Sequence, residues 1–579
     1  MNTPHKRRKR RASAPIFKPY HQHQLMLLPP SLEEFIPENH LVRVINSVVE
    51  KLDISPILST YKGGGTSSYH PRMLLKVLLY GYVEGIYTTR RIAKALRENV
   101  HFMWLSGMSY PDFRTLNNFR SGRLKEHIDT VFASLLLLLV EAGYVDLGHY
   151  FVDGTKFRAN AGRYSYVWKK NVKRYKQGVL EKIEAILDQI DRVNAAEDRR
   201  YGDRDLCELG EGSVGDSDRL EETVSEINEV LQQINPPGEK EADAVVRDRY
   251  ETKNKCKRDE GSGLDSSCDG ERLFQGVGEK ALVLEDLPEG PERRKVEKLL
   301  REFNTRLLPR LQRYEQQEQL LGNRNSYSRT DEGATFYKDR DGVLLPGYNV
   351  MMGSQHQFIL NYSVHQNFAD NACFIAHLKR FYQLLGHKPG AVIGDAGFGT
   401  EENYHHLQEE GIEGYLKHQG MRKRSSSGEK SSCSSDQFHY DEQGDVYTCA
   451  EGRELHFVEE RERTTATEYR RHTRLYKCVS CAGCPRRTRS GERVLEVSPL
   501  LQAYRRKAQE RLNSEEGKLL SRRRGVEIES IFGHLKHNKN YRRFLLRGLE
   551  KVNIELGLLS IAHNISKLFR LQQQQVCPV

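Results

Sequence analysis

The stretch GHYFVDGTKF, residues 148–157, decides the fold. Tyr150, Phe151 and Val152 form a short apolar run typical of a buried strand, and we expect Asp153 and Gly154 to end it. A carboxylate at the carboxyl end of a strand lies at the rim of a sheet, where clefts form in open α/β proteins. The stretch therefore predicts an α/β core with a functional acid at its edge, although Asp-Gly after a strand is also common turn chemistry.

A second stretch, AVIGDAG at 391–397, repeats this pattern and ends its apolar run at Asp395. Two carboxylates that face each other repel unless a cation lies between them. A pair of strand-end acids, Asp153 and Asp395, therefore indicates a site for a divalent metal ion.

A third acid is predicted on the helix GVEIESIFGHLKHNKNYRRF, residues 525–544. The apolar stripe of this helix is predicted to be Ile528, Ile531 and Leu535. Glu529 lies to one side of the stripe, and Lys536, seven residues later, falls at almost the same angle. Glu529 could bind metal while Lys536 meets a phosphate, whereas an ordinary solvated ion pair is the alternative. Glu527 lies on the other side and is the weaker alternative for the third acid.

The bulk composition favours a partner that is a polyanion. The chain has 579 residues, 29% of them charged, with a formal net charge of +11, a pI near 9.0 and a mean hydropathy of -0.68. Such a basic excess favours nucleic acid, although a basic enzyme without such a partner has the same composition. The most apolar run, 131–145, is short and contains Glu141, and KRRKRR at 6–11 is not followed by an apolar core. We therefore predict a soluble cytoplasmic protein with neither a membrane span nor a signal peptide.

Composition and periodicity divide the chain into six parts. Residues 166–325 carry helical periodicity and a polar, partly flexible middle, and are predicted to interrupt the core. The predicted parts are a disordered basic arm (1–20), an all-α N-terminal domain (21–146), a mixed α/β core (147–165 and 326–420), a helical insertion (166–325), a cysteine-bearing insertion (421–500) and C-terminal helices (501–579).

Two groups of basic side chains are candidates for DNA contact. The first lies on short helices of the N-terminal domain and consists of Arg90, Arg91, Lys94, Arg97, Arg114, Arg120 and Arg123. The second follows the helix of Glu529 and consists of Lys539, Arg542, Arg543 and Arg547. Tyr541 and Phe544 lie among the second group and either stack on bases or pack in the core. For each helix alone, a solvated basic face is the alternative.

Four cysteines have the spacing of a metal site. Cys478, Cys481 and Cys484 form a C-x2-C-x2-C run, and Cys449 ends the preceding predicted hairpin. Four thiolates suit a structural Zn²⁺ ion in a small polar insertion, with an iron–sulfur cluster as the less supported option. Unliganded cysteines are the remaining alternative, and Cys433 is predicted to be free.

Three long blocks resemble the catalytic blocks of bacterial insertion-sequence DDE transposases. They begin FVDGTKFRANAGRYSYVWKK at 151, GDAGFGTEENY at 394 and EIESIFGHLKHNKNYRRF at 527. The subgroup most similar has an N-terminal helical domain, an RNase H-like core and a cysteine-bearing insertion. The likeness runs from about residue 18 to 570. It implies an RNase H-like mixed sheet flanked by helices, with a helical insertion and a small zinc-ribbon-like insertion.

The resemblance implies DNA strand cleavage and joining. Carried over to this chain, Asp153, Asp395 and Glu529 would hold two Mg²⁺ or Mn²⁺ ions about 4 Å apart, and Lys536 would meet a phosphate. The family pattern usually has an arginine four residues before the glutamate, but Gly525 stands there and Arg522, Arg523 and Arg524 precede it. Thr155 and Lys156 either touch the DNA strand or are turn residues.

The function implied by the resemblance is that of a transposase. It would bind the terminal inverted repeats of its element and target DNA as double-stranded partners, as a homodimer. Two alternatives stay open: a catalytically inactive DNA-binding protein derived from such an enzyme, and a metal-dependent nuclease with the same core.

Overall fold

The computed structural model describes residues 31–61, 68–201, 291–418, 438–449, 451–465, 467–478 and 493–576. The predicted basic arm (1–20) and the predicted flexible stretch between 202 and 290 lie outside these residues, as do Cys433, Cys481 and Cys484. None of the described helices is long and apolar enough to cross a membrane.

The N-terminal region is helical. After a 3-10 turn (Leu32–Phe35), its helices are α1 (Leu41–Lys51), α2 (Ser55–Ser59), α3 (Pro71–Val83), α4 (Thr89–Glu98), α5 (Val100–Ser106), α6 (Phe113–Asn118) and α7 (Ile128–Glu141), with a π-helical turn at Phe119–Arg123. Every residue of α3 except Arg72 and Met73 is buried. A helix that is apolar all round lies in the interior, so α3 is the centre of this region.

A mixed six-stranded sheet follows. Its strands are β1 (His149–Arg158), β4 (Thr335–Lys338), β5 (Leu344–Gln355), β6 (Phe358–His365), β7 (Ala391–Gly394) and β8 (Glu413–Leu416). β1 lies between β5, which is antiparallel to it, and β7, which is parallel to it. β8 pairs in parallel with β7 at one side, and β4 and β6 pair with β5 at the other. The helices α11 (Asp370–Leu385) and α12 (Glu401–Glu409) follow β6 and β7.

The first strand is longer than predicted. Asp153 and Gly154 do not end it, because β1 continues to Arg158. Only its pairing with β7 ends at Phe151, whereas its pairing with β5 runs on to Arg158 opposite Gly347. A long partner strand satisfies the backbone groups beyond Asp153, and Thr155 and Lys156 are therefore strand residues rather than turn residues.

A helical unit and a short two-stranded sheet stand between β1 and β4. The strands are β2 (Tyr166–Trp168) and β3 (Ser326–Ser328), and the helices are α8 (Lys169–Tyr201), α9 (Pro291–Glu302) and α10 (Leu308–Leu321), with a π-helical turn at Phe303–Leu307. α8 packs against α10 through a small apolar cluster that includes Ile183 and Leu311.

The cysteine-bearing segment contains a five-stranded antiparallel sheet. Its strands are β9 (His439–Asp441), β10 (Val446–Thr448), β11 (Glu454–Thr464), β12 (Arg470–Cys478) and β13 (Val494–Val497). Leu455 pairs with both Tyr447 and Cys478, so Cys449 and Cys478 lie at the same end of the sheet. Both side chains are buried.

The C-terminal part is helical and returns to the core. It comprises α13 (Pro499–Asn513), α14 (Glu515–Arg524), a π-helical turn (Gly525–Glu529), α15 (Ser530–Gly533), a second π-helical turn (His534–Asn538) and α16 (Leu549–Val576). α16 packs against β6, α3 and α7. One continuous apolar core therefore joins the N-terminal helices, the six-stranded sheet and the C-terminal helices.

Candidate active site

The two predicted strand-end acids lie at the same edge of the sheet. In the parallel pair of β1 and β7, Phe151 is opposite Ile393. Asp153 and Asp395 each follow these residues by two positions, so the strand register places them side by side. Each carboxylate also accepts a hydrogen bond from a nearby backbone N–H, from Gly154 at 2.8 Å and from Gly397 at 2.7 Å.

The third predicted acid is connected to the first through an arginine. Arg524 donates from Nη1 to Asp153 Oδ2 at 3.2 Å and from Nη2 to Glu529 Oε1 at 2.8 Å. The side chains of Arg524 and Asp153 are 16% and 18% exposed, whereas that of Glu529 is 56% exposed. The structure therefore brings Glu529 to the edge occupied by Asp153, with its carboxylate toward solvent.

A π-helical turn explains how Arg524 reaches Glu529. The segment Gly525–Glu529 forms this turn, in which hydrogen bonds run over five residues instead of four. The wider turn brings the residue five positions before Glu529 to its side. Gly525 stands at the position of the family's usual arginine, and Arg524, one residue earlier, contacts Glu529 instead.

Glu527, the alternative third acid, has a different environment. It is buried, and its carboxylate accepts hydrogen bonds from Arg523 at 2.9 Å and from the backbone N–H of Gln357 at 2.8 Å. The backbone oxygen of Glu527 also accepts a hydrogen bond from Ser354. These contacts tie the helix to the β5–β6 connection, which favours a structural role for Glu527.

The side chain of Lys536 packs alongside β1, the strand that contains Asp153. Its Nζ donates to Thr155 Oγ1 and to the backbone oxygen of Lys156, and it lies 4.8 Å from the centre of the Phe157 ring. Alternate residues of a strand share a face, so Asp153 and Thr155 point to the same side. Burial, with a smaller effect from Arg340, lowers the pKa of Lys536 to about 8.

A fourth carboxylate, Asp370, stands beside the pair and was missed in the sequence. Asp370 begins α11 and accepts a hydrogen bond from Asn349 Nδ2 at 2.7 Å. A Cβ atom at Gly154 would lie 2.6 Å from Asp370 Oδ1, so a larger residue at this position would displace the Asp370 carboxylate. No motif marks Asp370, because the nearest signal is an ordinary acid in the first turn of a helix.

Charge repulsion and burial define the electrostatics of this edge. Burial raises the pKa of Asp153 to about 6, with added increases from Asp395 and Asp370, while Arg524 and the Gly154 N–H oppose the shift. Burial and the Asp395 carboxylate likewise raise the pKa of Asp370. The carboxylates are thus destabilised in their charged form, which is the condition that a bound cation relieves.

The donor chemistry of this edge fits a hard divalent cation, because carboxylate oxygens are the ligands of Mg²⁺ and Mn²⁺. The residues that could hold it are Asp153, Asp395 and Glu529, with Asp370 close by. Within the described part of the chain, no three His, Cys, Asp or Glu side chains are already grouped tightly enough to enclose an ion. Arg524 supplies the positive charge between Asp153 and Glu529 instead.

The predicted DNA-contact residues fall into two kinds. Arg90, Arg91, Lys94, Arg97 and Arg114 are exposed on α4 and α6, and Arg542, Arg543 and Arg547 are exposed after the second π-helical turn. Arg120 is buried at 3% exposure, since it donates to the backbone oxygen of Tyr87 and to Asn117 Oδ1, and Arg123 donates to Thr60. The buried bonds of Arg120 make it structural, whereas Arg123 is exposed and its bonds to Thr60 lie at the surface.

Part of the second basic group is also structural. Lys539 donates to the backbone oxygen of Val83, while Arg543 and Arg547 donate to the side chain and backbone of Asn160. Tyr541 and Phe544 are 1% and 0% exposed and pack with Phe157. Of the two alternatives for these aromatic rings, the structure therefore supports packing in the core, because neither ring reaches the surface.

Comparisons with known families identify two domains of the chain. Residues 30–122 match the family described as a transposase domain (DUF772), a range that includes α1 to α6. Residues 448–569 match the family described as a transposase DDE domain, which includes Glu529 and Lys536. No curated protein and no solved structure matches significantly.

Both matches are to transposase domains, so the chain is similar to transposases over residues 30–122 and 448–569. Their order, an N-terminal transposase domain followed by a DDE domain, supports an insertion-sequence DDE transposase, as the sequence blocks predicted.

Proposed function

We propose that the chain binds the terminal inverted repeats of an insertion sequence and catalyses metal-dependent cleavage and transfer of DNA strands. The observation that carries this proposal is the meeting of distant acids at one sheet edge. Asp153 and Asp395 stand side by side through the β1–β7 register, and Arg524 ties Glu529 to Asp153. The central order β6-β5-β1-β7-β8, with β5 antiparallel to β1, supports an RNase H-like core.

The acids would hold two Mg²⁺ or Mn²⁺ ions, with Asp153 and Asp395 as the fixed ligands and Glu529 as the movable one. When bound, such ions activate the attacking water or 3′-hydroxyl and stabilise the leaving 3′-oxygen. Asp153 lies within β1 and Asp395 directly follows β7, whereas Glu529 is exposed on a π-helical turn. Ligands within or directly after paired strands have little freedom, and this preorganises their half of the site.

Arg524 would balance charge in the free protein. Its guanidinium neutralises Asp153 and Glu529 while no cation is bound, and an ion shared by these carboxylates would compete with it for Asp153 Oδ2 and Glu529 Oε1. Once released, a guanidinium is suited to a DNA phosphate through two parallel hydrogen bonds. Lys536, held against Thr155 on the same strand face, would meet a second phosphate near the scissile bond.

Structural Zn²⁺ in the cysteine-bearing segment is a separate proposal. Cys449 and Cys478 lie at one end of the β9–β13 sheet, and thiolates so placed suit a tetrahedral ion. Cys481 and Cys484, the other two predicted ligands, lie outside the described residues. The observed pairing of strands supports the first two ligands only.

Strand transfer separates the proposed function from the nuclease alternative. A DNA duplex that ends in a free 3′-hydroxyl at the element end, mixed with a supercoiled target and Mg²⁺, should become joined to the target. Cleavage of DNA without joining would support the nuclease. Binding without either reaction would support the inactive DNA-binding protein. Matching inverted repeats on both sides of the coding region would support the transposase independently, and we expect a dimer on paired ends.

A further inference from the structure

A basic cavity lies between the N-terminal helices and residues 539–548, the segment that follows the second π-helical turn. Its volume is about 290 Å³, and it is lined by residues at the start of α4, by α6 and by Leu545. The polar residues that matter here are Thr88, Arg90, Arg114, Asn117, Asn118 and Arg120. No carboxylate is among the lining residues, so the cavity is suited to an anion.

The start of α4 supplies unpaired donors at this cavity. Thr88 is the N-cap residue, but its side chain makes no capping hydrogen bond. In the described part of the chain, the N–H groups of Thr89, Arg90 and Arg91 have no protein acceptor. Free N–H groups at a helix N-terminus carry partial positive charge and form a ready site for phosphate.

The wall of the cavity contains a buried arginine that is not fully paired. Arg120 is 3% exposed, and its Nε has no hydrogen-bond partner. Its Nη2 donates to Asn117 Oδ1 at 3.1 Å, which leaves the Asn117 amide as a donor. The Glu555 carboxylate that interacts with Arg120 is wholly buried and accepts hydrogen bonds from Leu545 and Leu546. It is therefore shielded from the cavity.

The two exposed arginines at the rim are oriented by one aromatic ring. The guanidinium carbons of Arg90 and Arg114 lie 4.8 Å and 5.7 Å from the centre of the Phe113 ring. Contact with the ring restricts both side chains, so less entropy is lost when they bind a ligand. Arg91 and Arg97 are equally exposed on α4 but do not line the cavity.

We propose that this cavity binds one phosphodiester group of the DNA backbone, held by Arg90, Arg114 and the first N–H groups of α4. The proposal rests on the proposed function for the identity of the polyanion. It adds a fixed anchor: a phosphate contact positions a protein on the duplex. Leu545 lines one side of the cavity, so the bound phosphate would lie next to residues 539–548, which follow the second π-helical turn.

The test compares two arginine pairs in the full-length protein. Binding of a fluorescein-labelled duplex from DNA flanking the coding region is measured by anisotropy, in EDTA and over a range of salt concentrations. Arg90→Ala/Arg114→Ala should weaken binding by roughly tenfold or more and reduce the slope of log Kd against log salt by about one to two. Arg91→Ala/Arg97→Ala removes the same charge outside the cavity and should cost clearly less.

A duplex with single methylphosphonate groups identifies the phosphate. At one position of the duplex, the methylphosphonate should weaken binding of the wild-type protein. The same methylphosphonate should cause no further loss of binding in the variant Arg90→Ala/Arg114→Ala. If that pair unfolds at a lower temperature than the wild type, Asn118→Asp provides the second variant, since it adds negative charge at an exposed position of the rim. Asn118→Asp should weaken binding of the unmodified duplex. On the duplex with the methylphosphonate at that one position, Asn118→Asp should bind as well as the wild-type protein does.

Two outcomes would overturn the cavity proposal. Equal losses for the two arginine pairs, with no methylphosphonate position specific to the cavity, would show that only general surface charge acts. In that case Mg²⁺-dependent cleavage and joining by the wild-type protein would still uphold the proposed function. Failure of the wild-type protein to bind any duplex would overturn both.

Discussion

Arg524 stands five residues before Glu529 and donates a hydrogen bond of 2.8 Å to its carboxylate. The π-helical turn Gly525–Glu529 brings these two side chains together, because its hydrogen bonds span five residues instead of four. π-turns occur often at functional sites, and here the turn lets an arginine of α14 serve two acids that belong to different elements.

Replacing Arg524 by alanine should reduce strand cleavage by roughly tenfold to a hundredfold, since the site loses the guanidinium that orients Glu529 in the free protein and that we propose contacts a DNA phosphate in the active state. Steady-state cleavage of an element-end duplex measures this effect. Arg522→Ala is the matched control, because Arg522 lies on the same helix without a described bond to either acid. Equal losses in the two variants would remove Arg524 from the site.

Asp153→Asn, Asp395→Asn and Glu529→Gln should each abolish cleavage and leave DNA binding intact, because each amide is a poor ligand for Mg²⁺. Glu527→Gln should retain cleavage but lower the free energy of unfolding by about 1 kcal/mol, as it weakens a bond to Arg523. Gel assays of cleavage and chemical denaturation test both parts. Cleavage lost in Glu527→Gln at unchanged stability would restore the alternative third acid.

The contribution of Asp153 to the free energy of unfolding of the metal-free protein should rise as the pH falls from about 6 toward 4. Its folded pKa, about 6, is above the value of about 3.9 for a free aspartate. The folded state therefore binds the proton more tightly, and charging Asp153 at neutral pH opposes folding. Asp153→Asn should lack this dependence and be more stable at pH 7 by on the order of 1 kcal/mol or more.

Asp370→Asn offers a second measurement of the same repulsion. It should also stabilise the metal-free protein at pH 7, because it removes one of the neighbouring carboxylates that raise the pKa of Asp153. Thermal melts in EDTA and in Mg²⁺ should show that added Mg²⁺ stabilises this variant less than the wild type. An equal gain from Mg²⁺ in both proteins would place Asp370 outside the ion site.

Cleavage at low DNA concentration should decline as the pH rises through about 8, where Lys536 loses its proton in the free protein. Lys536→Arg should retain activity to higher pH, since guanidinium stays charged there. The ratio of kcat/KM at pH 9 to that at pH 7 measures this for both proteins. If kcat/KM of Lys536→Arg fell equally between pH 7 and pH 9, the loss of activity at high pH would be due to another group.

Purified protein should contain one zinc ion per chain, and Cys449→Ser should lower that content and the melting temperature of the cysteine-bearing segment. Metal analysis and calorimetry before and after chelation give the two readouts. Cys373→Ser is the control, because Cys373 lies on α11, away from the cysteine-bearing sheet. Full stability after complete removal of zinc would contradict a structural role.

The meeting of two acids at one sheet edge was predictable because their signals are local. An apolar run followed by an acid marks Asp153 and Asp395, and parallel strands bring such positions to one edge. The buried stripe of Ile528, Ile531 and Leu535 follows equally from helical spacing, and all three are at most 1% exposed. Local periodicity was sufficient to predict these positions, since the apolar face of a helix or strand is the face that becomes buried.

Tertiary structure alone decided the rest. β1 continues past Asp153 because β5, about 200 residues later, pairs with it. Asp370 joins the site through a close approach to Gly154, Arg524 through a π-helical turn, and Tyr541 is buried by packing with Phe157. Each depends on a contact between distant segments or on a hydrogen-bond register that residue types do not encode. Sequence periodicity therefore determines which residues face a core, whereas long-range packing decides which charges meet.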